Sequence, residues 1–492
     1  MELHAHPIDL VTRAPTVVLN AADAEELGVN PLDRVQVRGD GRSVVGIVEV
    51  TGELVPAGHL GTTDRLGHLD GAVEVTVAPR PQSVRYVRKK LDGVELEAEE
   101  MRRIASDIAE DRLSDVELAA YVSAAYTRGF SSAETLALTQ AMTGAGERLT
   151  WDADPIADKH SIGGVAGNRV TPVLVPIVVA AGVTVPKTSS RAITSPAGTA
   201  DTMAVFCDVE FDADGIRRIV AEAGGCLVWG GGVDLSPADD RIIRAEYPLS
   251  LDPHGQLVAS VLSKKRSAGS THVVLDVPYG EEAKVGSLRE ARELAHEFKE
   301  VADHLGLHLT CAITRGNAPV GRGIGPVLEA RDVLSVLTGG GPTDLRAKSL
   351  RLSGLLLDAC GVEADPEELL DSGAAERAFR DIVAAQGGDR DVSLVDLEPG
   401  AETHTVTADR SGVVTHVDNS AVSEVARRAG APRDPGAGVV LERAVGDAVE
   451  TGDSLFTVHA EHAAKLDESR RLLTGSEPVR VRPPGESLVE SL

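Results

Sequence analysis

The spacing of apolar residues changes along the chain, and the places where it changes divide the 492 residues into four parts. Residues 1–84 alternate apolar and polar positions in short runs, as in Val35-Gln36-Val37, which predicts a β-rich domain. From residue 85 to residue 150 the apolar positions recur at three- and four-residue steps. That spacing predicts a small domain of short antiparallel helices, with Ser114 and Ser131 placed as N-caps.

Residues 151–400 alternate apolar strands with helical stretches, a pattern that predicts a large α/β domain with a mixed sheet. Glycine clusters fall at the strand–helix junctions, where ligands of α/β folds usually bind. The segment near residues 237–265 is expected to complete the helical domain, and residues 401–492 are expected to form a C-terminal α+β domain. The predicted strands include Val173–Ala180, Cys226–Trp229, Val273–Val277 and His308–Ile313, and the predicted helices between them include Ser287–Leu305.

The charge of the chain argues against a nucleic-acid partner. The formal net charge is −27, and no local basic patch offsets it. Acidic residues are dispersed, and only 10 of the 49 cationic residues are Lys, a composition typical of proteins from a salt-rich cytoplasm. No apolar run is long enough for a membrane span, and the N-terminus lacks the pattern of a signal peptide, so we expect a cytoplasmic protein.

Two segments, residues 158–169 and 187–201, combine small, hydroxylated and cationic residues between apolar runs. Small residues leave backbone N–H groups accessible, while hydroxyl and ammonium groups add donors, so both segments suit an oxyanion such as phosphate. Either segment alone could be a Gly/Ser-rich turn, and His160 could equally be a buried core histidine. The candidate phosphate ligands are Lys159, Ser161, Ser189 and Thr199.

Three blocks of the sequence resemble the thymidine and pyrimidine nucleoside phosphorylase family. Asp158–Val165 and Arg191–Asp201 are similar to its two phosphate-binding segments, and Ala259–Lys265 is similar to its base-binding segment. The blocks occur in the order found in the family, and the similarity extends from Arg85 to Ala460. The resemblance implies a fold like that of the type II nucleoside phosphorylases, inorganic phosphate as co-substrate, no cofactor, and a homodimer or larger homo-oligomer.

The two outer domains carry weaker resemblances. The β-rich N-terminal domain resembles the double-psi barrels at the N-termini of some archaeal proteins. The C-terminal domain resembles the barrel-sandwich hybrid of biotin and lipoyl carriers. A carrier presents a lysine at a hairpin tip, yet no lysine lies between Lys348 and Lys465. We therefore expect the C-terminal domain to be structural.

The second phosphate segment departs from the family pattern in an informative way. Nucleoside phosphorylases read Ser-Gly-Arg-Gly-Leu-Gly-His-Thr-Gly-Gly-Thr where residues 189–199 read Ser-Ser-Arg-Ala-Ile-Thr-Ser-Pro-Ala-Gly-Thr. The added hydroxyls predict that the substrate carries additional oxygen atoms to be bound, such as those of a 5′-phosphate. Arg191 is a candidate partner for that phosphate. A second departure removes the usual uracil clamp, because the family's Leu-Arg-Asp is replaced at residues 244–247 by Arg-Ala-Glu-Tyr.

With both departures the sequence resembles the archaeal AMP phosphorylase branch of the family. That branch also carries a Ser-Leu-Asp-Pro segment, which is present here at residues 250–253. This resemblance implies phosphorolysis of nucleoside 5′-monophosphates, in which AMP and phosphate give adenine and α-D-ribose 1,5-bisphosphate. CMP and UMP are further candidate substrates. It implies Asp252 as the proton donor to the departing base. The implied nucleotide contacts are Gly164, Ser190, Arg191, Ala192, Ile193, Thr194, Ser195, Thr199, Ser260, Lys264 and Lys284.

Several alternatives stay open at the level of the sequence. Asp252 could instead cap a helix that starts near His254. The chain could act on uridine or thymidine as a pyrimidine nucleoside phosphorylase, or it could be a non-catalytic nucleotide-binding or scaffold protein. The four cysteines lack CxxC spacing and no other metal-ligand cluster is apparent, so no metal is predicted. A cation near Asp201 and Asp208 is a further alternative.

Overall fold

The computed structural model describes residues 1–12, 14–192, 195–233, 235–249 and 251–483. Contacts divide the chain into two compact units. The first unit consists of residues 1–146 and 236–260, and the second of residues 147–235 and the chain from residue 261 onward. Within the described ranges, no helix is both long and apolar enough to cross a lipid bilayer.

The first unit begins with a closed barrel of six strands in the order β1-β5-β2-β4-β3-β6. Its interior is filled by the inward-facing residues of the alternating pattern, among them Val17, Val35 and Val48, each with no exposed surface. This is the β-rich domain that the sequence predicts. The elements are β1 (Glu2–Pro7), β2 (Thr16–Asn20), α1 (Ala21–Leu27), β3 (Arg34–Gly39), β4 (Arg42–Thr51), β5 (His59–Thr62) and β6 (Ala72–Val77).

Four helices follow the barrel, and the return segment of residues 236–260 belongs to the same unit. The predicted N-caps are confirmed: Ser114 and Ser131 each accept a hydrogen bond from the backbone N–H of the glutamate three residues later, Glu117 and Glu134. The carboxylate of each glutamate in turn accepts a hydrogen bond from the backbone N–H of the serine, which completes a capping box. The helices are α2 (Gln82–Leu91), α3 (Ala98–Ala109), α4 (Asp115–Arg128) and α5 (Ser132–Ala145).

The chain from residue 151 to residue 400 alternates strands and helices. Its elements are β7 (Ala157–Ser161), α6 (Thr171–Ala180), β8 (Val185–Ser189), α7 (Thr199–Met203), α8 (Ala213–Ala223), β9 (Gly225–Trp229), α9 (Pro237–Glu246), α10 (His254–Ser267), β10 (His272–Tyr279), α11 (Leu288–His304), β11 (His308–Arg315), β12 (Gly323–Ile324), α12 (Pro326–Leu337), α13 (Thr343–Ala359), α14 (Pro366–Asp371) and α15 (Ala374–Ala385). The predicted strands at β9, β10 and β11 and the predicted helix at α11 are confirmed.

The central sheet of this region is parallel. Strand β10 pairs in parallel with β7 and β11, and β8 pairs in parallel with β9. A parallel bridge between Ile156 and Thr184 continues the sheet from β7 to β8. Strand β12 of this region pairs antiparallel with a strand of the C-terminal domain, in a sheet separate from the central one. The carboxyl ends of β7, β8 and β10 therefore lie along one edge, where α/β folds bind ligands.

The prediction of a strand at Val173–Ala180 is wrong, because these residues lie in helix α6. Five of its apolar side chains have no exposed surface, so the helix is surrounded by the core. A helix buried on all sides is apolar on every face and shows no 3.6-residue period, and a short apolar run then looks like a buried strand. Pro172 in its first turn was the available signal for a helix start.

The described part of the C-terminal domain, which ends at residue 483, contains two small antiparallel sheets and two helices. One sheet has the order β12-β15-β17-β13 and so includes a strand from the α/β region, and the other has the order β16-β14-β18. This shared sheet joins the C-terminal domain to the α/β region. The elements are β13 (Glu402–Thr407), β14 (Gly412–Val417), α16 (Asn419–Ala429), β15 (Gly438–Leu441), β16 (Ala448–Val449), β17 (Ser454–Ala460), α17 (Ala463–Leu473) and β18 (Val479–Arg482).

Candidate active site

Strand β7 carries the first phosphate segment to the carboxyl edge of the parallel sheet. Because side chains alternate along a strand, Lys159 and Ser161 point to one face and Asp158 to the other. The chain then turns through Gly163 and Gly164, whose φ angles of 93° and 83° lie in the left-handed region that favours glycine. The segment therefore presents a lysine, a serine and exposed backbone at the edge where ligands bind.

A buried carboxylate, Asp276 on β10, organises the face that holds Ser161. It accepts hydrogen bonds from Ser161 Oγ at 2.9 Å and Thr314 Oγ1 at 2.6 Å, and Lys348 Nζ lies 2.9 Å from its Oδ2. Burial opposes its ionisation, but Lys159 and Lys348 hold the pKa of Asp276 below its ordinary value. Since Ser161 has one proton and donates it to Asp276, its hydroxyl must rotate to donate to a phosphate.

Lys159, the lysine of the first phosphate segment, interacts with the charge of Asp276 and is only 1% exposed. Its Nζ donates to Thr171 Oγ1 at 3.4 Å. Burial lowers the pKa of Lys159 to about 8, against the opposing influence of Asp276, and Lys348 and Arg169 lower it further. Burial therefore disfavours the charged form of Lys159, and an anion bound beside it would offset that free-energy cost.

The lowered pKa predicts a pH dependence for phosphate use. Above pH 8 Lys159 loses its proton, so kcat/KM for phosphate should fall as the pH rises through about 8, over a range in which phosphate stays a dianion. The measurement is kcat/KM for phosphate at saturating AMP between pH 7.5 and about 9.5. A Lys159→Met variant should lack this limb, and an unchanged limb in that variant would assign the titration to another group.

The opposite face of β7 holds a second buried cluster around Asp158, which has no exposed surface. Asp158 Oδ2 accepts from Lys265 Nζ at 2.7 Å, and Lys187 Nζ lies 3.7 Å from Oδ1. Burial and the charge of Lys265 lower the pKa of Lys187 to about 7. Burial together with Lys265 and Lys187 also holds the pKa of His160 well below its ordinary value, so this imidazole is neutral.

Residues of the second phosphate segment donate hydrogen bonds to the carboxylate of Asp201. Its Oδ2 accepts from the N–H groups of Ala192 at 2.6 Å and Gly198 at 2.8 Å, and its Oδ1 accepts from Arg191 at 3.2 Å. The guanidinium of Arg191 also donates to Glu210 at 2.8 Å and lies over the Trp229 ring. Burial opposes its charge, but these carboxylates raise the pKa of Arg191. Arg191 therefore faces carboxylates here, and binding of a phosphate would require it to turn.

The other members of this segment lie as follows. Ser189, at the end of β8, donates to Val228 O at 3.2 Å, and Ser195 donates to Ala197 O at 2.9 Å. Ser190 is exposed, and Thr199 is the first residue of α7. The two phosphate segments meet where Arg169 donates to Ala197 O at 2.6 Å. Ile193 and Thr194 lie outside the described residues.

Gly164 and Lys284 lie against each other. A Cβ on Gly164 would fall 2.5 Å from the backbone N of Lys284, so only glycine permits this approach. Lys264, on α10, is near enough to contribute to the lowered pKa of His160. These three predicted nucleotide contacts therefore belong to the same compact unit as the phosphate segments.

Asp252 and Ser260 belong to the first compact unit, whereas the phosphate segments belong to the second. Ser260 donates to Asp239 Oδ2 at 2.9 Å. Asp252 is half-buried in the connection that leads to α10, and Ser250 lies outside the described residues. Helix α10 begins at His254, two residues after Asp252.

Sequence reasoning missed residues that hold the predicted phosphate ligands. Asp276, Thr314 and Lys348 were not predicted as site residues, because they lie on separate elements and form no motif. Asp158 lies inside the first phosphate segment, but it was not predicted as a site residue either. The available signal was a charged residue inside an apolar strand, as Asp276 is within Val273–Val277. Such a residue is buried only when it is paired.

Two groups of described residues bring three potential metal ligands together. They are Glu282, His416 and Asp418, and Asp434, Glu461 and His462. In both groups the carboxylates already accept hydrogen bonds from the protein, for example Glu282 from Asn419 N and Glu461 from Gly436 N. The absence of a metal requirement stays a prediction.

Comparison with known proteins finds three domain families along the chain. Residues 84–146 match the helical bundle domain of the glycosyl transferase family, residues 153–242 match its a/b domain, and residues 413–477 match the pyrimidine nucleoside phosphorylase C-terminal domain. The chain is also similar in structure to anthranilate phosphoribosyltransferase from Thermus thermophilus, with a TM-score of 0.52 and 21% identity over 61% of this chain and 99% of the other. That likeness concerns the fold alone.

Similar proteins also align over almost the whole length. An AMP phosphorylase of Natronomonas pharaonis is 59% identical over 100% of both chains. AMP phosphorylase 1 of Archaeoglobus fulgidus is 45% identical over 94% of both chains, and an AMP phosphorylase of Thermococcus kodakarensis is 44% identical over 96% of both. The similarity thus includes the N-terminal barrel, which lies before the first matched domain family.

Proposed function

Because the chain belongs to the AMP phosphorylase family, we propose that it is a pentosyltransferase that cleaves AMP with inorganic phosphate to give adenine and α-D-ribose 1,5-bisphosphate. The roles of individual residues rest on the chemistry of the two phosphate segments and on the resemblance that assigns Asp252.

The observation that carries the proposal is the excess of positive charge buried around β7. Around Lys159, on the face of β7 that holds Ser161, three cationic side chains accompany two carboxylates. Burial lowers the pKa of Lys159 to about 8, and the charges of Lys348 and Arg169 lower it further. A phosphate dianion bound on this face would offset that cost. The carboxylates are those of Asp276 and Glu329, and the cations are Lys159, Arg169 and Lys348.

The proposed reaction is a single displacement at C1′ of the ribose. A phosphate oxygen forms a bond to C1′ while the glycosidic bond breaks, and the electron pair of that bond goes to the adenine ring. Asp252 acts as the general acid and gives a proton to a ring nitrogen, so that the base leaves neutral and a carboxylate remains on Asp252. Lys159 and Ser161 hold the attacking phosphate, which makes the step a matter of position and electrostatics.

A substrate comparison tests the proposed function. Phosphate-dependent release of base should be efficient from AMP and poor from adenosine, uridine and thymidine. Efficient cleavage of uridine or thymidine with none of AMP would instead support a pyrimidine nucleoside phosphorylase. Binding of AMP without any turnover would support a nucleotide-binding protein.

Three finer statements belong to the same proposal. CMP and UMP serve as further substrates, since the added hydroxyls of residues 189–199 address the phosphate rather than the base. The protein is a cytoplasmic homodimer assembled through its helical domain, or a larger homo-oligomer. The reaction needs no cofactor, because phosphate is already an anionic nucleophile. Initial rates with each nucleotide test the substrate range. The same rates with and without a chelator test the need for a metal, and the mass of the protein in solution tests the oligomeric state.

Adaptation to a salt-rich cytoplasm is part of the proposal, and it is supported by the charge of −27 and by the relative from the haloarchaeon Natronomonas pharaonis. Molar KCl shortens the Debye length to about 3 Å and so screens the self-repulsion. We expect Tm to rise from low to molar KCl, by about 2–4 °C for each 1 kcal/mol of repulsion relieved in a domain of 150–250 residues. A matched series with a non-ionic osmolyte separates screening from solute exclusion, and a Tm that does not change with KCl would contradict the adaptation.

A further inference from the structure

A buried asparagine of the C-terminal domain contacts the loops that carry Gly164 and Lys284. Asn419, the first residue of α16, is 2% exposed. Its Oδ1 accepts a hydrogen bond from Ala166 N at 3.1 Å, and its Nδ2 donates to Gly316 O at 2.9 Å. One side chain therefore binds the backbone of the loop after β7 and the backbone at the end of β11.

The same residue reaches the loop after β10 through Glu282. The backbone N of Asn419 donates to Glu282 Oε2 at 2.5 Å, and His416 Nε2 lies 2.7 Å from Glu282 Oε1. Glu282 precedes Lys284 by two residues, and its side chain is 16% exposed. Both of its oxygens are thus used by the C-terminal domain, and the backbone around Lys284 is held from that side.

The two loops also touch each other directly, because the Cα of Gly164 packs on the backbone of Lys284. A shift of either loop therefore moves the other. From this geometry we propose that Asn419 and Glu282 are positioning residues, through which the C-terminal domain sets the spacing of Gly164 and Lys284 for the nucleotide. This inference rests on the proposed function and extends it to a domain that supplies no expected ligand.

The C-terminal domain is attached to the α/β region at other places as well. Strand β12 pairs with β15, Val327 N donates to Pro435 O at 3.0 Å, and Leu441 N donates to Arg322 O at 2.9 Å. Loss of the Asn419 side chain should therefore leave the domain attached. Its effect should be confined to the loops whose backbone groups lose their partners.

The experiment compares Asn419→Ala with Ser469→Ala. Ser469 is a matched control, because it is fully buried in the same domain and donates to Val425 O at 3.1 Å without contacting either loop. In Asn419→Ala we expect KM for AMP to rise by about tenfold while kcat changes by less than about threefold, since uniform binding is lost. Hydrogen exchange should quicken in a peptide that covers residues 163–168. Ser469→Ala should match the wild type in KM and in that peptide.

Glu282 provides an independent test. Glu282→Ala should raise KM for AMP, whereas Glu282→Gln keeps an acceptor for Asn419 N and should have a KM close to that of the wild type. Because Glu282 and Asn419 share one hydrogen bond, the double alanine variant should raise KM by less than the product of the single effects. An Asn419→Ala variant that shows the same KM as Ser469→Ala, or a drop in Tm with no change in KM, would overturn the inference. Failure of the wild-type chain to cleave AMP would instead overturn the proposed function.

Discussion

Replacement of Asp252 by Asn is expected to lower kcat for phosphorolysis of AMP by about 10²–10⁴-fold, the usual contribution of a general acid. Adenine leaves as an unfavourable anion unless a ring nitrogen gains a proton as the glycosidic bond breaks. The amide of Asn cannot supply that proton. KM for phosphate should change little, because the substitution removes the proton donor to the base and removes no proposed ligand of the phosphate. Steady-state kinetics with both substrates varied measure the two effects.

A change of leaving group makes this test specific. The N7-methylated analogue of AMP carries a positive charge on its base, which leaves as a neutral molecule without protonation. The Asp252→Asn variant should therefore cleave the analogue at nearly the wild-type rate. If the variant is as slow with the analogue as with AMP, Asp252 is not the proton donor. Its importance would then lie in binding or in the local fold before α10.

The second large effect is expected for Lys159→Met, which replaces a buried ammonium with an uncharged chain of similar length. Removing one partner of a buried charge interaction typically costs 2–5 kcal/mol. We therefore expect kcat/KM for phosphate to fall by about 10²–10³-fold. Lys299→Met provides the control, because Lys299 is an exposed lysine on α11 and should be replaceable without loss.

The stability of the same variant separates a functional role from a structural one. Burial lowers the pKa of Lys159 to about 8 from its ordinary 10.5, so below pH 8 the folded protein bears the cost of a buried charge. Removing that charge should leave Tm unchanged or raise it, most clearly near pH 7. Unchanged phosphate kinetics, or a lower Tm that explains the lost activity, would contradict a direct role in phosphate binding.

Local patterns predicted those parts of the fold that depend on local interactions. Ser114 and Ser131 were identified as N-caps because a cap needs only a hydroxyl and a glutamate three residues later. The strand at Val173–Ala180 was wrong because full burial removes the period on which the distinction depends. The parallel order of the central sheet could not be predicted, since it is set by contacts between residues far apart in the chain.

The candidate site was predictable only where it forms a motif. Lys159 and Ser161 lie in one short segment, and their chemistry suggests an anion site without any structure. Asp276 and Lys348 hold that site from a strand and a helix far along the chain, and no spacing connects them to the motif. The contact between Asn419 and Ala166 is also invisible in the sequence, because it joins two domains across 253 positions.

The closed N-terminal barrel limits how copies of this protein can associate. Each of its six strands is paired on both sides, so the barrel presents no free strand edge to another chain. This domain therefore cannot extend its sheet into a second subunit, which is a common route to both specific assemblies and aggregates. Any contact that it makes with a second copy must use side chains on its outer surface. Such assembly would then depend on contacts between side chains rather than on backbone pairing.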